Sequence, residues 1–312
     1  MRDTNIRRAA SLGPRGRSSW ASRLFDTANH AALVLLGVVT IGPFLYILAG
    51  SLTEARWYQR AGVTFNPMHW SLASYRILLG SASIIYDAMR VTIFITLVGT
   101  FLSLLCSALM AYGLADRELP GRKVLVFLVF FTMMFGGGMV PFYLVVRGVG
   151  LINSPFALII PMLVGAWYVF MMIKFFDSLP DGILDAARID GCGEMGIFVR
   201  IALPLSKPIL ATIGLFYAVG YWNEWFWAQI FLSDRQLYPL QMVLYSILNQ
   251  MMLVTDPSRA VEEMKQQMDT IMPAQVVLRM ATIMITVTPI AAVYPFLQKH
   301  FVKGVMIGAI KG

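Results

Sequence analysis

Six apolar runs, divided by polar stretches of uneven length, organise this chain. They lie at about residues 31–51, 88–114, 124–146, 155–176, 208–231 and 276–298. Each approaches or exceeds the roughly 20 residues that an α-helix needs to cross a bilayer. Backbone polar groups in lipid must be satisfied within their own segment, so runs of this length predict helices. The expected fold class is all-α: a polytopic membrane protein with six transmembrane helices and both termini on one side. The third run contains MMFGGGMVP, with Gly136, Gly137, Gly138 and Pro141. Glycines weaken a helix and a proline removes a donor. Two readings fit: a helix that lines a cavity or moves, and, the favoured one, close helix packing through small residues. Two polar connections are long, about 52–87 and 232–275, and are expected to carry some structure of their own. They either receive an external partner or cap the spans.

Composition supports lipid rather than water as the main solvent. Apolar residues make up 58% of the chain and charged residues 13%, against about 25% charged in a soluble domain. Mean hydropathy is +0.68. The net charge of +8 is distributed unevenly. Segments 1–30, 116–123, 174–207 and 299–312 hold 16 of the 25 Lys and Arg. The positive-inside rule makes that side cytoplasmic. The chain then divides into a basic cytoplasmic tail (1–30), a transmembrane domain (31–298) and a cytoplasmic C-terminal tail (299–312). The first 30 residues lack an apolar core, so no cleaved signal peptide is expected there. Basic residues are scattered rather than striped with aromatics, which argues against nucleic acid as a partner. Cys106 and Cys192 fall at different depths, so no disulfide is expected. His30, His69 and His300 show no metal-ligand spacing, so no metal site is expected.

One segment on the cytoplasmic side is unusually organised: FDSLPDGILDAARIDGCGEMGIFVRIALPLSKP, within about 177–207. Ser178 with Asp181 three residues on resembles a capping box, and Pro180 suits a first turn. Gly191 and Gly193 are expected to supply left-handed positions that end the helix. The pattern predicts a helix of about 12 residues, or about 18 Å, too short to span. Ala186 and Ala187 allow close approach by another surface, and Asp185 and Asp190 offer charge to basic partners. A second turn follows, with an apolar face of Phe198, Ile201 and Leu203. Pro204 and Pro208 redirect the chain into the fifth span. Such a helix, fixed to two spans, passes a push to both.

These residues carry a resemblance. The segment resembles the Glu-Ala-Ala loop of permease subunits from binding-protein-dependent ABC importers, the MetI-like permease fold. That motif runs Glu-Ala-Ala, three residues, Gly, nine residues, Ile, one residue, Leu-Pro. Asp185, Ala186, Ala187, Gly191, Ile201, Leu203 and Pro204 match every spacing, with Asp185 in place of the usual Glu. GYWNEWFWAQIF and YPFLQKHFVKGVMIGAIKG are similar to the maltose-permease type and to permeases for complex oligosaccharides and polyuronides, alginate among them. The resemblance covers the chain from about residue 30 on. It implies a non-catalytic subunit in the bacterial inner (cytoplasmic) membrane. Its partners would be a second homologous permease, two cytoplasmic ATPase subunits and an extracytoplasmic solute-binding protein, with a carbohydrate as cargo. It implies that the loop docks in a cleft of the ATPase, and that the tail Gly304 to Gly312 reaches toward the same interface. ATP and Mg would belong to the ATPase subunits and no cofactor to this chain, which has no G-x-x-x-x-G-K-[ST] phosphate loop.

The fifth run crowds Tyr221, Trp222, Asn223, Glu224 and Trp225 together near its outer end. Aromatic belts at the interface explain the tryptophans. A carboxylate in a span usually faces the bundle interior or water. On a continuous helix Tyr221, Glu224 and Trp225 share one face, so this set is a candidate lining for the substrate path. Asn223 and Glu224 bonding the partner permease is the alternative. For an anionic cargo Glu224 is unfavourable, and Arg90, Arg147 and Arg279 near outer span ends matter more, beside ordinary snorkelling. Other functions remain open: an importer permease for a non-sugar solute, a membrane-embedded enzyme or a secondary transporter. No paired carboxylates, nucleophile–base pair or His cluster supports an enzyme.

Overall fold

The computed structural model describes residues 20–80, 84–250 and 274–292. The basic tail 1–19, the stretch VEEMKQQMD and the C-terminal tail from residue 293 on, including Gly304 to Gly312, lie outside the described residues. Helix α1 (Trp20–Leu52) is 33 residues, about 50 Å at 1.5 Å per residue. It begins well before the first apolar run, so the expected boundary at residue 30 falls inside one helix. Nearly all of its side chains face outward, as suits a helix bathed in lipid; burial begins only at Ala49. There α1 crosses the last described helix. A Cβ at Gly50 would overlap the Met280 side chain, which would have to shift to admit it.

The first long connection is structured, as its length predicts. Thr53 pairs with Trp70 in an isolated antiparallel bridge. Between them lie α2 (Ala55–Ala61) and a short turn at Pro67–His69, with the Trp57 and His69 rings stacked at 3.5 Å. Helix α3 (Ala73–Leu78) leads on toward α4 (Ile84–Ala115). Helix α4 is 32 residues and is the centre of the molecule, packed against the helices of the fourth and fifth runs.

The third run is not one helix. Helices α5 (Arg122–Met134) and α6 (Met139–Gly148) meet at an angle of 119°. Close packing by small residues, the favoured expectation, is not what the glycines do within the described chain. A Cβ at Gly136 or Gly138 would meet nothing within 4 Å. Gly138 instead adopts φ +81°, a backbone conformation that side chains resist.

The fourth run starts as tight 3₁₀ turns at Pro155–Leu158 and Ile160–Met162, then bends by 47° into α7 (Ala166–Phe176). Ser154 accepts from the Phe156 N–H and caps the start. The polar segment follows as α8 (Asp181–Ile189), α9 (Glu194–Ile197), a π-type turn at Phe198–Ala202 and α10 (Leu203–Leu205). An 83° bend leads into α11 (Lys207–Trp222), then a break and α12 (Phe226–Phe231). Helix α13 (Leu240–Gln250) and the final α14 (Ala274–Ala292) complete the described chain. Among the described residues, three helices alone are long and apolar enough to cross a membrane, or up to six spans if each bent pair counts as one. Among the described residues there is no strand. The main core lies where α4, α7 and α11 meet, around Ile95, Ala108, Met172, Phe198 and Ile213.

Candidate functional site

The polar segment is built from its helix ends inward. Pro180 is the N-cap of α8, and no side chain caps it. The expected capping box does not form, because the Ser178 hydroxyl donates back to the Phe175 carbonyl at 2.7 Å. Helix α8 is nine residues, about 14 Å, shorter than the 12 expected. Its C-terminal end explains why. The Cys192 N–H reaches the Ala187 carbonyl at 2.9 Å, and the Gly191 N–H reaches that of Arg188 at 3.0 Å. This is the paired pattern of a Schellman motif, and it needs Gly191 at φ +80°. Gly193 plays a different part from the one expected. It is extended, at φ −67° and ψ 157°, and is the N-cap of α9.

Pro204 has no N–H for the turn below it. The ladder widens there, and the Leu203 N–H bonds the Phe198 carbonyl five residues back. Single π turns of this kind recur at functional places in helices. The apolar face expected here is present but shifted. Ile197, Phe198 and Ala202 are fully buried, while Ile201 and Leu203 are half-buried and Pro204 is exposed. On α8, Asp185, Ala186 and Asp190 are exposed and Ala187 is half-buried, with Gly191 exposed at the turn. The motif residues thus divide. Those before Gly191 face out, and those after it tie the segment to the core.

Charged groups bind the segment together. The Arg188 guanidinium donates to Asp185 at 2.9 Å and to Glu194 at 2.8 Å. The second Glu194 oxygen accepts from the Tyr112 hydroxyl of α4 at 3.1 Å. The hydrogen bond from Arg188 holds the Glu194 carboxyl below its ordinary range; burial opposes it, and the Tyr112 hydrogen bond adds a smaller lowering. The same two carboxylates raise Arg188 further above its already high value. Arg117, just past α4, donates to Asp177 at 3.2 Å. These side chains line a pocket of about 890 Å³ between α8, α9 and the ends of α4 and α7.

The other candidate set sits at the far end of α11. Tyr217 and Tyr221, one turn apart, point into α4. The Tyr221 hydroxyl pairs with that of Ser103 at 2.8 Å, and the Tyr217 hydroxyl with that of Ser107 at 2.7 Å. Tyr217 also accepts from the Gly165 N–H at 2.9 Å, at the bend of the fourth run. Gly99 lets the Tyr221 ring approach, since a Cβ there would lie 2.7 Å from it. Interhelical hydrogen bonds between small and polar residues are a common joint in membrane proteins.

The shared face of Tyr221, Glu224 and Trp225 does not exist. Helix α11 ends at Trp222, so 100° per residue no longer applies. Tyr221 is 5% exposed and belongs to the core. Glu224 accepts from the Trp227 N–H at 2.8 Å and satisfies the start of α12. Trp225 stacks on Tyr245 of α13 at 4.2 Å. Asn223 is exposed; it donates to the Val219 carbonyl and accepts from Gln241. The half-buried Trp222 has an indole N–H without a hydrogen-bond partner. Sequence reasoning missed Tyr112, Arg188, Glu194, Ser103, Ser107 and Tyr217. The four-residue spacing of Ser103 with Ser107, matched by Tyr217 with Tyr221, was a readable signal. Nothing local announced the contact between Tyr112 and Glu194.

Comparison with known proteins agrees with this geometry. Residues 90–307 match the family model described as binding-protein-dependent transport system inner membrane component. Protein LplC of Bacillus subtilis is 44% identical over 293 residues, 94% of this chain and 96% of LplC. The polygalacturonan/rhamnogalacturonan transport system permease protein YtcP of the same organism is 39% identical, across 93% of this chain and 99% of its own. Among solved structures, a chain of a bacterial ABC transporter involved in the import of the acidic polysaccharide alginate superimposes with a TM-score of 0.77. It is 28% identical and matches 93% of this chain and 99% of that one. The match runs from α4 through the polar segment and the fifth run, and on that ground the chain belongs to the family of inner-membrane permease components of binding-protein-dependent transport systems.

Proposed function

We propose that this chain forms half of the translocation path of an ATP-driven importer for acidic oligosaccharides derived from polyuronides. The observation that carries the reading is the α8–α9 segment. It presents Asp185, Ala186 and Asp190 to a partner while Ile197, Phe198 and Ala202 anchor it among α4, α7 and α11. The partner that fits a short, small-residue helix of this kind is an ATPase subunit on the cytoplasmic side. Ile201, Leu203 and Pro204 then carry its movement into α11, and both chain termini lie on that same side. A second permease completes the path, and a solute-binding protein delivers cargo from outside. ATP and Mg are held by the ATPase subunits.

An acidic cargo is favoured by two relatives whose names specify such polymers. It is also compatible with Glu224, whose carboxylate is engaged by the backbone of α12. Asn223 and Trp222 are the path-lining residues of the outer break, while Tyr221, Glu224 and Trp225 set its shape.

Two measurements test the reading. Purification should bring down a second permease and an ATPase with this chain; a stable, active monomer would refute it. Reconstituted with its binding protein, the complex should take up oligogalacturonides in preference to neutral oligosaccharides of equal length. Equal uptake of both would defeat the acidic-cargo assignment and leave the permease role standing.

A further inference from the structure

Helix α8 has an orientation problem. None of its side chains from Gly182 to Ile189 is buried, and Ile183 and Ile189 are 46% and 85% exposed. Only Leu184 and Ala187 are half-buried, so apolar packing holds its angle weakly. Its covalent links are an uncapped start at Pro180 and the Schellman turn at Gly191. A helix held only in this way would swivel when pushed instead of passing the push on. The remaining contacts are polar. Arg188 on α8 reaches Glu194 in the first turn of α9, and Glu194 reaches Tyr112 on α4. The Tyr112 ring is itself wedged between Phe176 and Phe198, with ring centroids 5.7 and 5.1 Å away. The connection joins residues 82 apart in sequence.

We propose that Arg188, Glu194 and Tyr112 form a clasp that fixes α8 to the second membrane span, so that movement of α8 reaches α4 as well as α7 and α11. This rests on the reading of α8 as the ATPase-docking helix and adds positioning residues to it. Exposed ion pairs contribute little to stability. The clasp therefore acts on angle, and its signature is coupling. Arg188 divides its donors between Asp185 and Glu194. A cation from the ATPase that takes over Asp185 leaves Arg188 to Glu194 alone, so docking tightens the clasp. Because α4 is packed along both α7 and α11, one rigid unit then responds to closure of the ATPase pair.

The test uses the whole complex in proteoliposomes, reading assembly, basal ATP hydrolysis and sugar moved per ATP. Tyr112→Phe and Glu194→Gln should assemble normally and keep basal hydrolysis, with sugar moved per ATP falling about 5-fold or more. Arg188→Glu should uncouple as well, and the exchange Arg188→Glu with Glu194→Arg should restore most of the lost ratio. Wild-type ratios in both Tyr112→Phe and Glu194→Gln, or an exchange no better than Arg188→Glu alone, would overturn the clasp. Ala186→Trp, at an exposed position of α8, separates the two levels. It should release the ATPase from the complex by filling the docking face. Normal assembly of that variant would refute the docking reading, and the clasp with it.

Discussion

The two ends of the fifth span handle polar groups in opposite ways. At the α8–α9 end, Asp185, Arg188 and Glu194 are exposed and pair with one another through side chains. At the outer end, Glu224 and Asn223 turn to the backbone, one accepting from the Trp227 N–H and the other donating to the Val219 carbonyl. The difference follows from solvent. Charges in water can exchange partners at little cost, which suits a surface that must meet another protein. Inside a span every broken backbone bond needs a substitute, so a side chain at a helix break is committed to repair. Between the two ends, α11 is locked to α4 by the Ser103–Tyr221 and Ser107–Tyr217 pairs. On the function proposed above, one end is built to be moved and the other to keep its shape.

The comparison can be broken most severely at the exposed end. Ala186→Trp should abolish recovery of the ATPase with the permease in a pull-down, while the membrane domain alone melts unchanged. Next in size is the central lock. Tyr217→Phe leaves both the Ser107 hydroxyl and the Gly165 N–H without their partner, a loss of about 1–3 kcal/mol. A lowered melting temperature in detergent is the expected readout. Gly99→Ala should act similarly by overpacking against the Tyr221 ring, at about 1–3 kcal/mol.

Smaller effects sharpen the contrast. Glu224→Ala should cost about 1 kcal/mol as a lost helix cap. Glu224→Gln keeps an acceptor oxygen and should leave both stability and uptake close to wild type. If Glu224→Gln instead abolishes uptake while the melt is unchanged, its charge acts on cargo, and the separation of roles between the two ends fails. The smallest effect concerns pH. Glu194 is lowered by Arg188, so the clasp is complete above the ordinary carboxylate range and is lost only as pH falls through the lowered value. Arg188 stays charged throughout. Sugar moved per ATP should therefore be flat between about pH 8 and 5; a drop within that window would contradict the pairing.

Much of the fold was legible locally. The apolar runs coincide with three long helices and overlap three bent helix pairs, because a helix of lipid-compatible composition is a local property. Gly191 was legible as a helix end because a left-handed turn is a one-residue requirement. The motif spacing around Asp185 and Pro204 pointed to the family that the comparisons show. The readings that failed assumed straight helices. The GGG stretch was weighed as a packing surface, whereas Gly138 turns the chain through the 119° bend. Tyr221, Glu224 and Trp225 were grouped by a periodicity that stops at Trp222.

The sequence alone determined which segments are apolar enough to cross a membrane and that the polar helix α8 ends at Gly191. Only the tertiary structure decided what each polar side chain is for. Glu224 was grouped with Tyr221 and Trp225 on one face, whereas the break before α12 turns its carboxylate to the Trp227 N–H. Tyr112 could be one more interfacial aromatic, and the position of Glu194 made it the anchor of a clasp. Helix formation and membrane entry depend on neighbours in sequence. A hydrogen bond depends on a partner brought within about 3 Å, and here those partners come from 82 and 118 residues away.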